Sequence, residues 1–128
     1  MRPTLGIGAV LGFLSVAFGA FGAHALKAQI PPDRLEIFQT GVHYQAIHAL
    51  ALLILAVVMR DQPDRILAWV RNLFVAGVVV FSGSLYALAL SGVRIWGAVT
   101  PLGGVCFLTG WALLAVYGFR NGGSAPTA

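Results

Sequence analysis

Residues 41–59 read GVHYQAIHALALLILAVVM, and no Asp, Glu, Lys or Arg interrupts them between Glu36 and Arg60. A helix needs about 20 mostly apolar residues to cross roughly 30 Å of hydrocarbon, and this stretch meets that length. Three further stretches do the same: about 4–25, 73–90 and 98–119. The third has a possible extension at its start, Ile66–Val70, set behind Arg71. Outside these stretches the chain offers little material for a polar surface. Hydrophobic residues make up 59% and charged residues 9%, against roughly 25% charged in ordinary soluble domains. The sequence therefore predicts an all-α, integral membrane four-helix bundle in one domain over residues 1–120, followed by a flexible Gly-, Ser- and Pro-containing tail at 121–128.

The segments between the spans refine this reading. The run Leu5–Phe21 behind Arg2, with small residues at Ala20 and Ala23, imitates a secretory signal. It is long for a signal core, and a spanning helix is expected. Between the first two spans, Pro31 and Pro32 suit a helix start, and Asp33 and Glu36 fall where the helix dipole favours acids. A short interfacial helix is expected there, running into the second span or kinking into it at Gly41. Arg2, Arg60, Arg65, Arg71 and Arg120 would share one membrane side, and Lys27, Arg34 and Arg94 the other. Five against three places both termini in the cytoplasm, in a multi-pass protein of the cell inner membrane. The net charge of +4 is spread singly at span ends. That pattern fits lipid headgroups and argues against nucleic acid as a partner.

Small residues mark the packing faces. Gly8, Gly12, Ser15, Gly19 and Gly22 recur at steps of four and three along the first span, the period of a helix face wound against a partner. Gly103 and Gly110 repeat the device on the fourth span, and Gly77, Ser84 and Ser91 on the third. Such seams let backbones approach closely, within the bundle or between subunits. A homo-oligomer or a membrane-protein partner is therefore a candidate, alongside the lipid bilayer itself. Cys106 lies in an apolar run and reads as a small packing residue.

No charged residue lies inside a span, which argues against a carboxylate-driven exchanger. Histidine, tyrosine and hydroxyl side chains remain as candidate binding groups: His24, Tyr44, His48, Ser82, Ser84, Tyr86 and Thr100. Tyr44 and His48 are four apart and share a helix face. In a hairpin topology His24, at the end of the first span, is expected to meet them. His48 is expected to be neutral and hydrogen-bonded to His24, Ser82, Ser84 or a water. Three readings compete: a structural polar knot, a site for an apolar or weakly polar ligand of the lipid or quinone class, and a haem or metal site. Two histidines without a thiolate or acid make a poor zinc site, and neither a metal nor another cofactor is implied. No catalytic triad, phosphate loop or dinucleotide fingerprint is visible, so an enzyme is not expected.

The stretches FGAFGAHAL (18–26), FQTGVHYQAIHALALL (38–53), FSGSLYALALSG (81–92) and TPLGGVCFLTGWALL (100–114) occur together in this order. In them the chain resembles the small membrane family catalogued as domain-of-unknown-function family 423, the family of transmembrane protein 256. The resemblance runs from about Gly8 to Tyr117. It implies a four-helix membrane protein with no established activity. It also implies that His24, Tyr44 and His48 carry the family pattern. His43 departs from it, standing where the family usually has a basic residue.

Overall fold

The computed structural model describes residues 2–122, and these form helices joined by short turns. Helix α1 spans Arg2–His24 and α2 spans Pro32–Asp61, with a 3₁₀ turn at Leu26–Ala28 between them. Helix α3, Arg65–Gly77, continues through a π-helical segment, Val78–Ser82, into α4, Gly83–Ser91; α5 spans Ile95–Gly122. Four helical stretches are long and apolar enough to cross a membrane: Pro3–Ala28, Pro32–Asp61, Arg65–Ser91 and Ile95–Asn121. The chain is a four-helix membrane bundle. Phe13, Val16, Leu108 and Phe119 are 72–87% exposed on its outer surface, a placement that suits lipid and not water.

The helices start and stop where local chemistry dictates. Pro31 caps α2 in an extended conformation, Pro32 occupies its first turn and Asp33 follows. Helix α2 then runs unbroken through Gly41, so the interfacial stretch and the second span are one rod. At 1.5 Å per residue its 30 residues reach about 45 Å, well beyond a bilayer core of roughly 30 Å. Asp64 caps α3, its carboxylate accepting from the Ile66 N–H at 2.7 Å. The third span starts at Arg65, earlier than Leu73, because this cap nucleates the extension that Ile66–Val70 suggests. At the far end Gly92 adopts φ 72° and its N–H bonds the Leu88 carbonyl at 2.8 Å. Arg34 reaches over from α2 and donates to the carbonyls of Ala89 (2.8 Å) and Leu90 (3.1 Å). A cation is thereby set against the negative end of the α4 dipole. Helix α5 continues to Gly122; the rest of the expected tail, from residue 123, lies outside the described residues.

Helix α1 packs on α2, α2 on the third span and the third span on α5. The third span and α5 interlock by rings set over glycines. A Cβ at Gly110 would meet the Phe74 ring, one at Gly77 the Phe107 ring, and one at Gly103 the backbone and Cβ of Phe81. The three contacts follow one another along the antiparallel pair, each ring filling the space a missing side chain leaves. The first span uses its glycines in the same way against α2. Gly8 faces Ala49, Leu52 and Leu53, Gly12 faces Ala49, Gly19 faces Val42 and Gly22 faces Phe38. Lipid tails are as apolar as leucine, so burial supplies no drive between these helices, and close dispersion contact takes its place. One apolar cluster, with Leu52, Leu67, Val70 and Phe74 fully buried, occupies one end of the bundle, and a smaller one around Leu26, Phe38 and Ala89 the other. Between them lies a polar layer.

Candidate functional site

The polar layer is centred on His48, which is 2% exposed. Its Nδ1 lies 2.7 Å from the Tyr44 carbonyl oxygen, one turn back on α2. Its Nε2 lies 3.0 Å from Nε1 of Trp111 on α5. An indole N–H can only donate and a carbonyl can only accept. Nε2 must then carry the lone pair and Nδ1 the proton, which defines a neutral imidazole in a single tautomer. The ring stacks on Phe107, with centroids 3.7 Å apart and planes 8° from parallel, and meets Phe74 edge-on at 5.1 Å. Two of the three phenylalanines that interlock the third span with α5, Phe74 and Phe107, therefore also form walls around the histidine.

A second chain of bonds crosses three helices. The Tyr86 hydroxyl donates to Oε1 of Gln45 at 2.6 Å, and Nε2 of Gln45 donates to the Leu11 carbonyl at 2.9 Å. The Leu11 carbonyl also accepts from Ser15 Oγ at 2.8 Å. The Ser82 hydroxyl, at the end of the π segment, donates to the Gly41 carbonyl at 2.7 Å. Ser84 Oγ and Thr100 Oγ1 lie 2.6 Å apart, joining the third span to α5. Near the ends of the same helices Tyr117 donates to Oε1 of Gln62 at 2.8 Å. Polar side chains thus tie α1 to α2, α2 to the third span, the third span to α5, and α2 to α5.

The sequence candidates divide accordingly. Tyr44 and His48 come together through a backbone carbonyl, Ser84 meets Thr100, and Ser82 and Tyr86 both bond groups on α2. His24 does not join them. It is exposed at the end of α1, near the level at which Gly22 meets Phe38. Phe38 is ten residues before His48 on α2, on the order of 15 Å at 1.5 Å per residue. The separation arises because α2 begins at Pro32, so the end of α1 faces the early turns of that helix. His48 finds Trp111 in place of His24, Ser82 or Ser84. Tyr44 is 39% exposed, with its ring against Phe81 and Phe107; His43 is exposed and edge-on to Tyr44.

Gln45 and Trp111 are not among the sequence candidates: the sequence shows one as a polar residue beside Tyr44 and the other as a polar residue of the fourth span, with no partner specified. The available signal was the need of a mid-span amide or indole N–H for a partner. The clefts along the outer faces of the described helices have linings other than His24, Tyr44 and His48, although one of them reaches Trp111, the partner of His48. One, of 300 Å³, lies on the outer face between α1 and α2 and is lined by Gly8, Gly12, Phe13, Val16 and Leu50. Two more lie between α2 and α5.

Comparison with known proteins fits this architecture. Residues 18–104 match the family described as protein of unknown function (DUF423). The UPF0382 inner membrane protein YgdD of Escherichia coli (strain K12) is 49% identical over 112 residues, 88% of this chain and 86% of that one. The UPF0382 membrane protein YwdK of Bacillus subtilis (strain 168) is 42% identical over 118 residues, 91% and 95% of the two chains. No solved structure gives a significant match. Four membrane-length helices, the matched residues and these near-full-length relatives together place the chain in the DUF423 family of membrane proteins.

Proposed function

We propose that this chain is a non-enzymatic protein of the inner membrane that serves as a structural, assembly or interaction component, with both termini in the cytoplasm. The observation that carries this reading is the closure of the polar layer. Gln45, His48, Ser82 and Ser84 are all buried, and each spends its hydrogen bonds on another helix or its own backbone. A catalytic or coordinating group needs a free lone pair or proton facing a space, and His48 has both nitrogens occupied and aromatic rings on its faces. The outer surface is apolar, and the cleft between α1 and α2 gives a second helix a place to seat a side chain. Crosslinking in native membranes tests the proposal. A discrete dimer or a defined heterologous complex is expected. A chain that stays monomeric and uncrosslinked in both membrane and mild detergent would sink it.

The alternative, a carrier for a lipid- or quinone-class ligand at His24, Tyr44 and His48, has weaker support. His24 is remote from the other two, and both ring nitrogens of the buried His48 are engaged. Retention of a quinone by the wild-type chain and its loss in His48→Gln would favour it.

A further inference from the structure

Helix α5 carries two faces with the same period. Toward the rest of the bundle it presents Gly103, Phe107, Gly110 and Tyr117, all buried. On the opposite side Ala98, Leu102, Val105, Thr109, Ala112 and Val116 recur at steps of four and three, and all six are exposed. That spacing keeps a seam turned toward a second helix wound around the first. Ala98, Val105 and Ala112 form one column of it, and the alanines let another backbone come close.

Thr109 stands at the centre of this seam and deep in the membrane. It lies close to halfway between Ile95 and Gly122, the ends of α5, about 20 Å from either at 1.5 Å per residue. Its hydroxyl makes no hydrogen bond among the described residues. The other serine and threonine hydroxyls of the helices show the contrast. Ser15, Thr40, Ser91 and Thr100 each turn back to the carbonyl four residues earlier. Ser82 and Ser84 reach across to α2 and α5. Thr4, in the first turn of α1, has no helical turn before it to bond. Thr109 has the Val105 carbonyl one turn back and does not take it. A hydroxyl left unpaired in hydrocarbon is costly, and lipid tails offer it nothing.

We propose that α5 packs against α5 of a second copy of this chain along the seam, with the two Thr109 hydroxyls bonded to each other at its centre. Copies inserted the same way are related by an axis along the membrane normal. Their α5 helices then run parallel, and each residue meets its own kind at its own depth. A hydroxyl both donates and accepts, so Thr109 is complementary to itself. An unrelated span would have to bring a matching group to this depth, whereas a second copy brings it by symmetry. One polar residue in an otherwise apolar seam also fixes its register. The groove between α1 and α2 has no such group, because its one hydroxyl, Ser15, is bonded within α1. Such a dimer is one form of the interaction role proposed above, on which it rests.

The full chain, with Cys106 replaced by Ala, is given single cysteines along α5 and treated in native membranes with a membrane-permeant oxidant. Disulfide-linked dimers are expected at Val105→Cys and Ala112→Cys, and few at Leu108→Cys, which is equally exposed but off the seam. Energy transfer between labelled copies, in vesicles of fixed protein-to-lipid ratio, then reads the dimer affinity. Thr109→Val should weaken it about three- to tenfold, or ~0.6–1.4 kcal/mol, with helical content unchanged, and Thr109→Ser should match the parent. Crosslinks at Val16→Cys on the α1–α2 face with none on α5 overturn the seam and leave the interaction role standing. So does a complex with a different protein and no dimer. A chain that stays monomeric overturns both. Thr109→Val that folds and dimerises as the parent does overturns the proposal as well.

Discussion

The indole N–H of Trp111 donates to Nε2 of His48 at 3.0 Å, across the interface between α2 and α5. The Tyr44 carbonyl holds Nδ1 on the other side of the ring at 2.7 Å. The histidine is thereby a two-ended connector, with one end on its own helix and the other on the last span. Removal of either partner has different consequences, and the difference can be measured.

Trp111→Phe keeps an aromatic ring and removes the donor, leaving Nε2 without its partner beside a hydrocarbon phase. The expected destabilisation is about 1–2 kcal/mol, since membrane hydrogen bonds measured one at a time fall at or below that range. His48→Leu removes the acceptor and leaves the indole N–H unpaired, at a similar cost. In the double variant the penalties should be less than additive. Unfolding in graded detergent or denaturant reads all three. Strict additivity would show that the bond contributes nothing. His48→Gln, which retains a donor and an acceptor, should stay closer to the parent than His48→Leu.

The ring-over-glycine register predicts an ordering among glycines of one helix. Gly103→Ala forces a methyl group into the backbone of Phe81, and Gly110→Ala forces one into the Phe74 ring. Overpacking of this kind destabilises by roughly 1–3 kcal/mol. Gly118→Ala meets open space and should be neutral or slightly stabilising through helix propensity, by up to ~1 kcal/mol. Melting temperatures of the three variants, measured side by side in one detergent, decide the order. Gly103→Ala as stable as Gly118→Ala would mean that α5 does not lie against Phe81.

Much of the architecture was legible because membrane spanning depends on length and apolarity, which are properties of the sequence alone. The uncharged runs around Ala51 and Ala112 mark their spans without any knowledge of packing. The early start of α2 could be read from Pro31, Pro32 and Asp33. The continuity of α2 through Gly41 could not, because a glycine permits a kink and does not compel one. At Gly41 the ring of Tyr86 settles the matter by lying directly over the missing side chain. The partner of His48 was illegible for a related reason. Which residue lies opposite depends on helix rotation, and Trp111, 63 positions away, reaches it only through the Phe74–Gly110 and Phe107–Gly77 register. The π segment at Val78–Ser82 left no signal in its own apolar sequence.

The arginine distribution predicts that Met1 and Ala128 face the cytoplasm and that the α1–α2 and α4–α5 connections face outward. A fusion of a reporter active only in the cytoplasm to the C-terminus should be active. A reporter active only outside, placed after Gly92, should be active as well. A correctly inserted C-terminal fusion that is silent in the first assay and active in the second kind of assay reverses the topology. In that event the arginines at Arg60, Arg65, Arg71 and Arg120 would lie on the less common side.

Gln45 carries the last prediction, because it connects three helices with one amide. Its Oε1 accepts from Tyr86 on the third span at 2.6 Å and its Nε2 donates to the Leu11 carbonyl on α1 at 2.9 Å. Tyr86→Phe removes one of these bonds and leaves the other in place, so about 0.5–1.5 kcal/mol is expected. Gln45→Leu removes both, and it also leaves the Tyr86 hydroxyl without its acceptor. That variant should therefore lose more than Tyr86→Phe. Gln45→Glu separates geometry from charge. The carboxylate still accepts from Tyr86, but where Nε2 donated it turns an acceptor toward the Leu11 carbonyl, and the two oxygens repel. Because α1 packs chiefly on α2, the damage should concentrate at that pair. Cysteines placed on α1 and α2 should then crosslink less efficiently in Gln45→Glu, while a pair on α4 and α5 crosslinks as in the parent. Equal loss at both pairs would show that Gln45 stabilises the bundle as a whole and does not specifically hold the first span.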